Sequence, residues 1–384
     1  MAVNARAKEL QAAGRDLVNL TAGEPDFPTV APAAEAAIAA IREGFTQYTA
    51  AAGIQPLRAA IATKLKAENG LAYAPEEIAV TTGAKFALFA AMQVLLDPGD
   101  EVVVPAPYWV SYPEQAKLAG AEPVFVQTRE DAGFVLTADA LAAAMTPRTK
   151  IVVLNSPCNP TGAVIPEREL AAIAEVILRH PRVYVLADEI YERMVYDGAR
   201  HVSLAALDPE LRRRTVTING FSKAFSMTGW RVGYTAADRH LAGPLADFLS
   251  QTTSNITSIA QRAALAALRE GEPAVVQMVA EFARRRALVL GRLGGMPLLR
   301  CVPPDGAFYV FPNVAAVLGR RSPAGKVLTD VDALALALME EAGLGTVPGS
   351  GFGSAEHLRL SYACGTETLT AGCDRLEAFL GSLT

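Results

Sequence analysis

Val183-Tyr184-Val185-Leu186-Ala187-Asp188-Glu189-Ile190-Tyr191 reads as a buried strand that runs into two acids and then an aromatic. Upstream, Ile151-Val152-Val153-Leu154 is a second apolar strand, and it enters the turn Asn155-Ser156-Pro157-Cys158-Asn159-Pro160-Thr161-Gly162. Further apolar runs at 78–80, 101–104, 123–126 and 216–218 alternate with alanine- and leucine-rich helical stretches such as 167–178. Alternation of this kind predicts an α/β fold, a doubly wound and mostly parallel sheet covered by helices. Ligands of such sheets collect at the carboxyl ends of the strands, which is where Asp188 and Asn159 fall.

Downstream, the stretch Asn219-Gly220-Phe221-Ser222-Lys223-Ala224-Phe225-Ser226-Met227-Thr228-Gly229-Trp230-Arg231-Val232-Gly233-Tyr234 places one lysine eight residues before one arginine among small residues. A lysine amine forms a Schiff base with a carbonyl cofactor once burial or a nearby cation lowers its pKa. Arg231 can supply that cation, or hold the phosphate of such a cofactor through its planar fork. Taken alone, a Ser-Lys pair is an ordinary surface lysine. Pyridoxal phosphate also needs a carboxylate opposite its ring nitrogen, since the protonated ring is the stronger electron sink, and Asp188 fits that need. The Asn-Pro-Thr-Gly turn presents the Asn159 amide at a strand end, suited to the ring hydroxyl, although a tight turn alone would look the same. Gly83 follows the strand at 78–81 and precedes the apolar run at 86–90, which marks a helix N-terminus of the kind that binds phosphate through free amides.

With these motifs in this order, the chain resembles the fold-type I (class I) pyridoxal-phosphate aminotransferases, in particular the bacterial aspartate aminotransferase branch, from about Val18 to Arg375. By that resemblance Lys223 carries the Schiff base and shuttles the proton, Asp188 pairs with the pyridine nitrogen, and Asn159 and Tyr191 contact the ring oxygen. Arg231 binds the cofactor phosphate with the amides of Thr82, Gly83, Ala84 and Lys85. Trp109 stacks on the ring, Tyr48 reaches the phosphate of a neighbouring subunit, Arg359 grips the substrate α-carboxylate, and Gly23 lines the same pocket. The resemblance implies a large cofactor-binding domain over 30–270, a small α/β domain from 1–29 and 271–384, and a homodimer with shared active sites. Relatives carry an arm before the equivalent of Met1, whereas this chain is expected to open directly in a first helix over 3–13.

Residue by residue, simpler roles stand beside these. Trp109 sits among Pro107, Tyr108 and Tyr112, where packing alone would account for a large aromatic. Arg359, between Leu358 and Leu360, alternates as strand residues do, and a substrate carboxylate or an internal acid would satisfy it equally. Lys85 beside Gly83 is the residue on which substrate choice turns. In the branch resembled here it reaches the distal carboxylate of aspartate or glutamate; otherwise it strengthens phosphate binding or points to solvent.

The chain has 384 residues, 51% hydrophobic and 20% charged, enough for two domains with a substantial core. Its net charge of −5 gives no broad attraction for nucleic acid, which needs a basic patch or stripe. Four cysteines, Cys158, Cys301, Cys364 and Cys373, show neither CxxC pairing nor metal-ligand spacing, as expected of a reduced cytoplasmic protein. The apolar run at 86–96 is broken by Gln93 and too short for a bilayer, and no signal-peptide core follows Met1. The triple arginine 284–286 is expected on a solvated helix face. The reading is therefore an aminotransferase that exchanges the amino group of aspartate with 2-oxoglutarate. Aromatic or prephenate transfer and pyridoxal-dependent lyase chemistry share this framework. A regulator would need a basic winged-helix module ahead of the domain.

Overall fold

The computed structural model describes Glu9, Ala12 and residues 14–384, so the expected helix over 3–13 lies outside the described residues apart from two positions. Strand β1 (Val18–Asn19) pairs in parallel with the distant β10 (Leu344–Gly345), which ties the start of the chain to its last quarter. Between them runs a seven-stranded sheet built from β2 (Ile78–Thr81), β3 (Glu101–Ala106), β4 (Glu122–Gln127), β5 (Thr149–Asn155), β6 (Tyr184–Asp188), β7 (Thr215–Gly220) and β8 (Gly233–Ala236). Its order is β2-β8-β7-β6-β5-β3-β4, and β8 alone among these strands runs against the rest.

Parallel strands covered on both faces must be apolar throughout. β5 and β6 satisfy this: Ile151, Val152, Val185 and Leu186 are wholly buried. Apolar layers flank the sheet, one joining Leu88, Met92, Val104 and Leu245, the other joining Leu141, Leu170, Ile173 and Ile177. The helix Glu167–Leu178 covers the second face with the residues its amphipathic pattern predicts.

β8 is the strand that the sequence pattern did not reveal. It pairs antiparallel with both β7 and β2, so the segment 221–232 is a return loop between neighbouring strands, not a helical crossover. Two glycines make this turnback possible: a Cβ on Gly220 would lie 2.9 Å from the Val232 carbonyl oxygen, and one on Gly233 would lie 2.4 Å from the Ala84 amide nitrogen.

Outside this sheet, β9 (Tyr309–Val310), β11 (Val347–Pro348) and β12 (Leu358–Ser361) form a smaller antiparallel sheet. A core containing Phe282, Phe308, Leu338, Leu369 and Leu376 packs around it. The helix Glu272–Gly294 carries the triple arginine, and here the expectation of a solvated face fails. Arg284 is exposed, but Arg285 and Arg286 are buried and paired with Asp26 and Glu281 and with Asp197, respectively. Asp26 and Asp197 lie far away in sequence, so no local pattern could have announced them.

Candidate active site

The carboxyl ends of β2, β3, β5, β6 and β7 all open toward one cavity of about 660 Å³. Ten of the thirteen sequence-predicted site residues line it: Gly23, Ala84, Lys85, Trp109, Asn159, Asp188, Tyr191, Lys223, Arg231 and Arg359. Three do not. Thr82 lies beside Arg231, Gly83 behind it, and Tyr48 stands on the surface with 90% of its area exposed.

Lys223 sits in the β7–β8 return loop. Its Nζ donates to the Gly23 carbonyl oxygen and lies 5.9 Å and 5.8 Å from the ring centres of Tyr191 and Phe308. Burial lowers its amine to about 8, Glu24 works against that, and the cations Arg359 and Arg231 reinforce it. An amine so placed has a substantial neutral fraction near neutral pH, as a nucleophile requires.

Asp188 ends β6, only 4% exposed. Burial pushes its carboxyl up to about 6 against the Tyr112 hydroxyl, which donates to Oδ2 at 2.8 Å, and the Ile190 amide, which donates to Oδ1 at 3.3 Å. The Asn155 amide fixes the Asp188 carbonyl at 3.0 Å. Tyr112 was read in the sequence only as a neighbour of Trp109. Its place one helical turn beyond that tryptophan is the signal that puts both on one side of the cavity, their rings 5.4 Å apart and edge-on.

The helix Gly83–Leu95 begins at the cavity without a side-chain cap. Its first amides are therefore unclaimed by an N-cap side chain. Gly83 has φ +77°, and a Cβ there would stand 2.4 Å from Arg231 Nη2. Arg231 itself holds φ +58°, a left-handed conformation costly for a long side chain and concentrated at functional sites. Lys85, in the first turn, lays its ammonium over the Trp109 ring at 4.8 Å, and burial together with Arg231 lowers its pKa.

At the opposite wall, Arg359 on β12 is buried between the Tyr309 and Phe352 rings, 4.4 Å and 5.1 Å from their centres. Its Nη1 donates to Asn159 Oδ1 at 3.0 Å and its Nη2 to the Thr21 carbonyl at 2.9 Å. Among the described residues no carboxylate lies within 4.0 Å of this guanidinium, and its Nε has no hydrogen-bond partner. The internal acid that the sequence left open is thus not what Arg359 meets. Tyr309 also accepts or donates a 2.8 Å hydrogen bond with the Tyr191 hydroxyl. Tyr309 and Phe352 were given no site role in the sequence, and the fold brings them to the cavity; Thr21 lies two residues before Gly23, which the sequence did place there.

The chain matches the family described as aminotransferase class I and II over residues 15–376. It is 48% identical to an aspartate aminotransferase of Geobacillus stearothermophilus over 99% of this chain and 95% of that protein. It is also 46% identical to an aspartate/prephenate aminotransferase of Cereibacter sphaeroides over 100% of this chain and 96% of that one. The solved structure of a Thermus thermophilus aspartate aminotransferase with maleate superposes with a TM-score of 0.92 at 43% identity, covering 98% of this chain and 95% of the other. With the mostly parallel sheet, the cavity at its carboxyl edge and a full-length match, the chain belongs to the class I and II aminotransferases.

Proposed function

We propose that this enzyme uses pyridoxal 5′-phosphate to move the amino group of L-aspartate to 2-oxoglutarate. The observation that carries the reading is a single cavity lined both by an amine drawn down to about 8 and by a buried guanidinium with no carboxylate within 4.0 Å among the described residues. The cavity residues fit the cofactor. Gly83 lacks the Cβ that would displace Arg231 from beside the uncapped helix, and Asp188 is a carboxyl at the foot of the cavity that a cationic ring N–H would stabilise in its charged form. When bound, the cofactor supplies the electron sink for negative charge at the substrate Cα.

In this reading Lys223 is the amine that holds the cofactor and later carries the proton to and from that carbon. Asp188 keeps the ring nitrogen protonated, with the Tyr112 hydroxyl and the Ile190 amide holding the carboxylate and Asn155 holding the Asp188 main-chain carbonyl. Arg359 occupies the Oδ1 acceptor of Asn159 and so leaves its Nδ2 as the donor for the ring oxygen, beside Tyr191. Gly83, Ala84, Lys85 and Arg231 hold the phosphate, Trp109 covers the ring, and Gly23 lines the substrate end. Arg359 takes the α-carboxylate. Lys85 takes the distal one, in keeping with the dicarboxylate maleate in the Thermus structure.

The reading extends to a homodimer in which Tyr48 completes the partner's phosphate site, since an aromatic 90% exposed on one chain is a natural contact for another. It also includes a large unit over 30–270 and a small one from 1–29 and 271–384; the seven-stranded sheet falls inside the first and the smaller sheet outside it. Four free cysteines agree with a reducing cytoplasm.

Borohydride reduction of the holoenzyme should fix the cofactor to the peptide containing Lys223, and label on any other lysine would sink the assignment. Stoichiometric exchange between aspartate and 2-oxoglutarate tests the reaction, with release of ammonia or pyruvate as the mark of a lyase. Prephenate belongs in the same panel because of the Cereibacter relative. Lys85→Ser should cost aspartate on the order of 2–3 kcal/mol, a roughly thirty- to one-hundred-and-fifty-fold fall in kcat/KM. Phenylalanine should lose far less. Equal losses would place Lys85 on the phosphate alone.

A further inference from the structure

Asp188 faces the cavity, but the next residue does not line it. Glu189 is 3% exposed and enters a buried ionic cluster with Glu192, His201 and Lys64, helped by Asn69 and Ser203. Ser203 Oγ donates to Glu189 Oε2 at 2.8 Å, and Asn69 Nδ2 approaches the same oxygen at 3.4 Å. Lys64 forms an ion pair with Glu192 Oε1 and donates to Asn69 Oδ1 at 2.8 Å, while Asn69 Nδ2 donates to Glu192 Oε2 at 2.8 Å. His201, its side chain 8% exposed, sets Nε2 3.3 Å from Glu189 Oε2 in an ion-pair contact, and neither ring nitrogen has a hydrogen-bond partner among the described residues.

The charges do not balance without the histidine. Two buried carboxylates face one ammonium, and an uncompensated charge in such surroundings is strongly destabilising. Asn69 and Ser203 are neutral donors. The other cation nearby, Arg193, is paired with Glu68 and Glu272, and Glu68 also lies 3.7 Å from Lys64. An imidazolium on His201 would close the set at two positive and two negative charges. Burial pushes His201 toward the neutral form, yet Glu189 and Glu192 outweigh it and Lys64, so its pKa stands above the ordinary histidine value. Glu192 is drawn to about 2, burial working against Lys64, His201 and Asn69.

This cluster is joined to the catalytic carboxylate through the main chain. The Glu189 amide donates to the Ile218 carbonyl on β7 at 2.9 Å, and the Glu192 amide donates to the Glu189 carbonyl at 2.9 Å. The Ile190 amide, inside the same turn, holds Asp188 Oδ1. We propose that His201 is the imidazolium counter-charge of this cluster and that the balanced cluster, acting through Glu189, positions Asp188. The positioning half of the proposal rests on the reading that Asp188 serves the cofactor's ring nitrogen.

The test uses holoenzyme. The chain has four histidines, so ¹⁵N-histidine labelling gives a spectrum simple enough to assign by variants. An imidazolium signal that persists at pH 7.5 and disappears in His201→Gln is expected; a neutral His201 ring at pH 7 overturns the proposal. A stoichiometric metal ion that His201→Gln loses would overturn it as well, since the counter-charge would then be the metal. In turnover, His201→Gln should lower kcat roughly ten- to one-hundredfold with little change in KM, the scale for a misplaced catalytic group. It should also move the pH at which the bound cofactor's absorption changes.

Adding Glu192→Gln to His201→Gln removes one charge of each sign and should recover most of the lost kcat; no recovery overturns the charge balance. In an Asp188→Asn background, His201→Gln should leave the absorption titration where it is. An equal shift with and without Asp188 would show that the cluster does not act through it. Should Asp188→Asn alone leave both turnover and absorption intact, the reading of Asp188 falls and the positioning role with it, while the resonance still decides the charge state.

Discussion

Asp188 stores a cost in the cofactor-free protein. Its carboxyl is held at about 6, above the ordinary 3.8, chiefly by burial. A raised acid pKa contributes stability that is fully present below pH 4 and is lost as pH rises through 6. At pH 8 the ionised group therefore penalises the folded apoprotein by up to about 3 kcal/mol, two units at 1.36 kcal/mol each. Asp188→Asn should stabilise the apoprotein at pH 8, with the gain vanishing below pH 4, while abolishing most turnover of the holoenzyme. Denaturant midpoints across that range check it, and an unchanged midpoint at pH 8 would mean the carboxylate is compensated. Lys223, Asp188 and Arg359 were legible in the sequence because each stands in a run whose residue types limit its chemistry. Tyr112 was not read as a partner, since its contact with Asp188 spans 76 positions. Arg285 and Arg286 misled for the same reason: a basic run looks solvated until distant acids are brought to it.

At the level of elements, the return loop between β7 and β8 and the start of the Gly83–Leu95 helix form one device. Gly233 lets the loop's exit pass against the helix, and Gly83 leaves room for the Arg231 guanidinium. Gly83→Ala would add both a left-handed strain and a collision, each of order 1 kcal/mol or more. It should raise the cofactor dissociation constant about tenfold or more, tenfold being 1.4 kcal/mol. Fluorescence titration of the apoprotein reads this directly, and unchanged affinity would remove Gly83 from the phosphate site. The strands β2 to β7 were visible as apolar runs and the helix at 167–178 as an alanine- and leucine-rich stretch. β8 was missed because Gly-Tyr-Thr-Ala carries no apolar run, and only its pairing with β7 and β2 makes it a strand. β9 is only two residues long, Tyr309–Val310, and it too becomes a strand through its pairing, here with β12.

For the whole molecule, the exposed Tyr48 makes a testable claim about assembly. In a mixture of Tyr48→Phe and Lys223→Ala protomers, a shared-site dimer has one site with both defects and one with neither. Activity should exceed the mean of the two parents; a fully active monomer would contradict the idea. The cavity is also assembled from across the whole chain: Lys223 reaches Gly23, 200 positions away, and Arg359 reaches Thr21, 338 positions away. Synthesis runs from one end only, so a ribosome must translate the seven-stranded sheet, the amine and the phosphate turn long before Arg359 emerges. A nascent chain halted after β8 would hold Lys223, the amine proposed to carry the cofactor, without Arg359, the cation proposed to grip the substrate α-carboxylate. Release of the last segment is therefore the moment at which the proposed amine first meets its proposed carboxylate anchor.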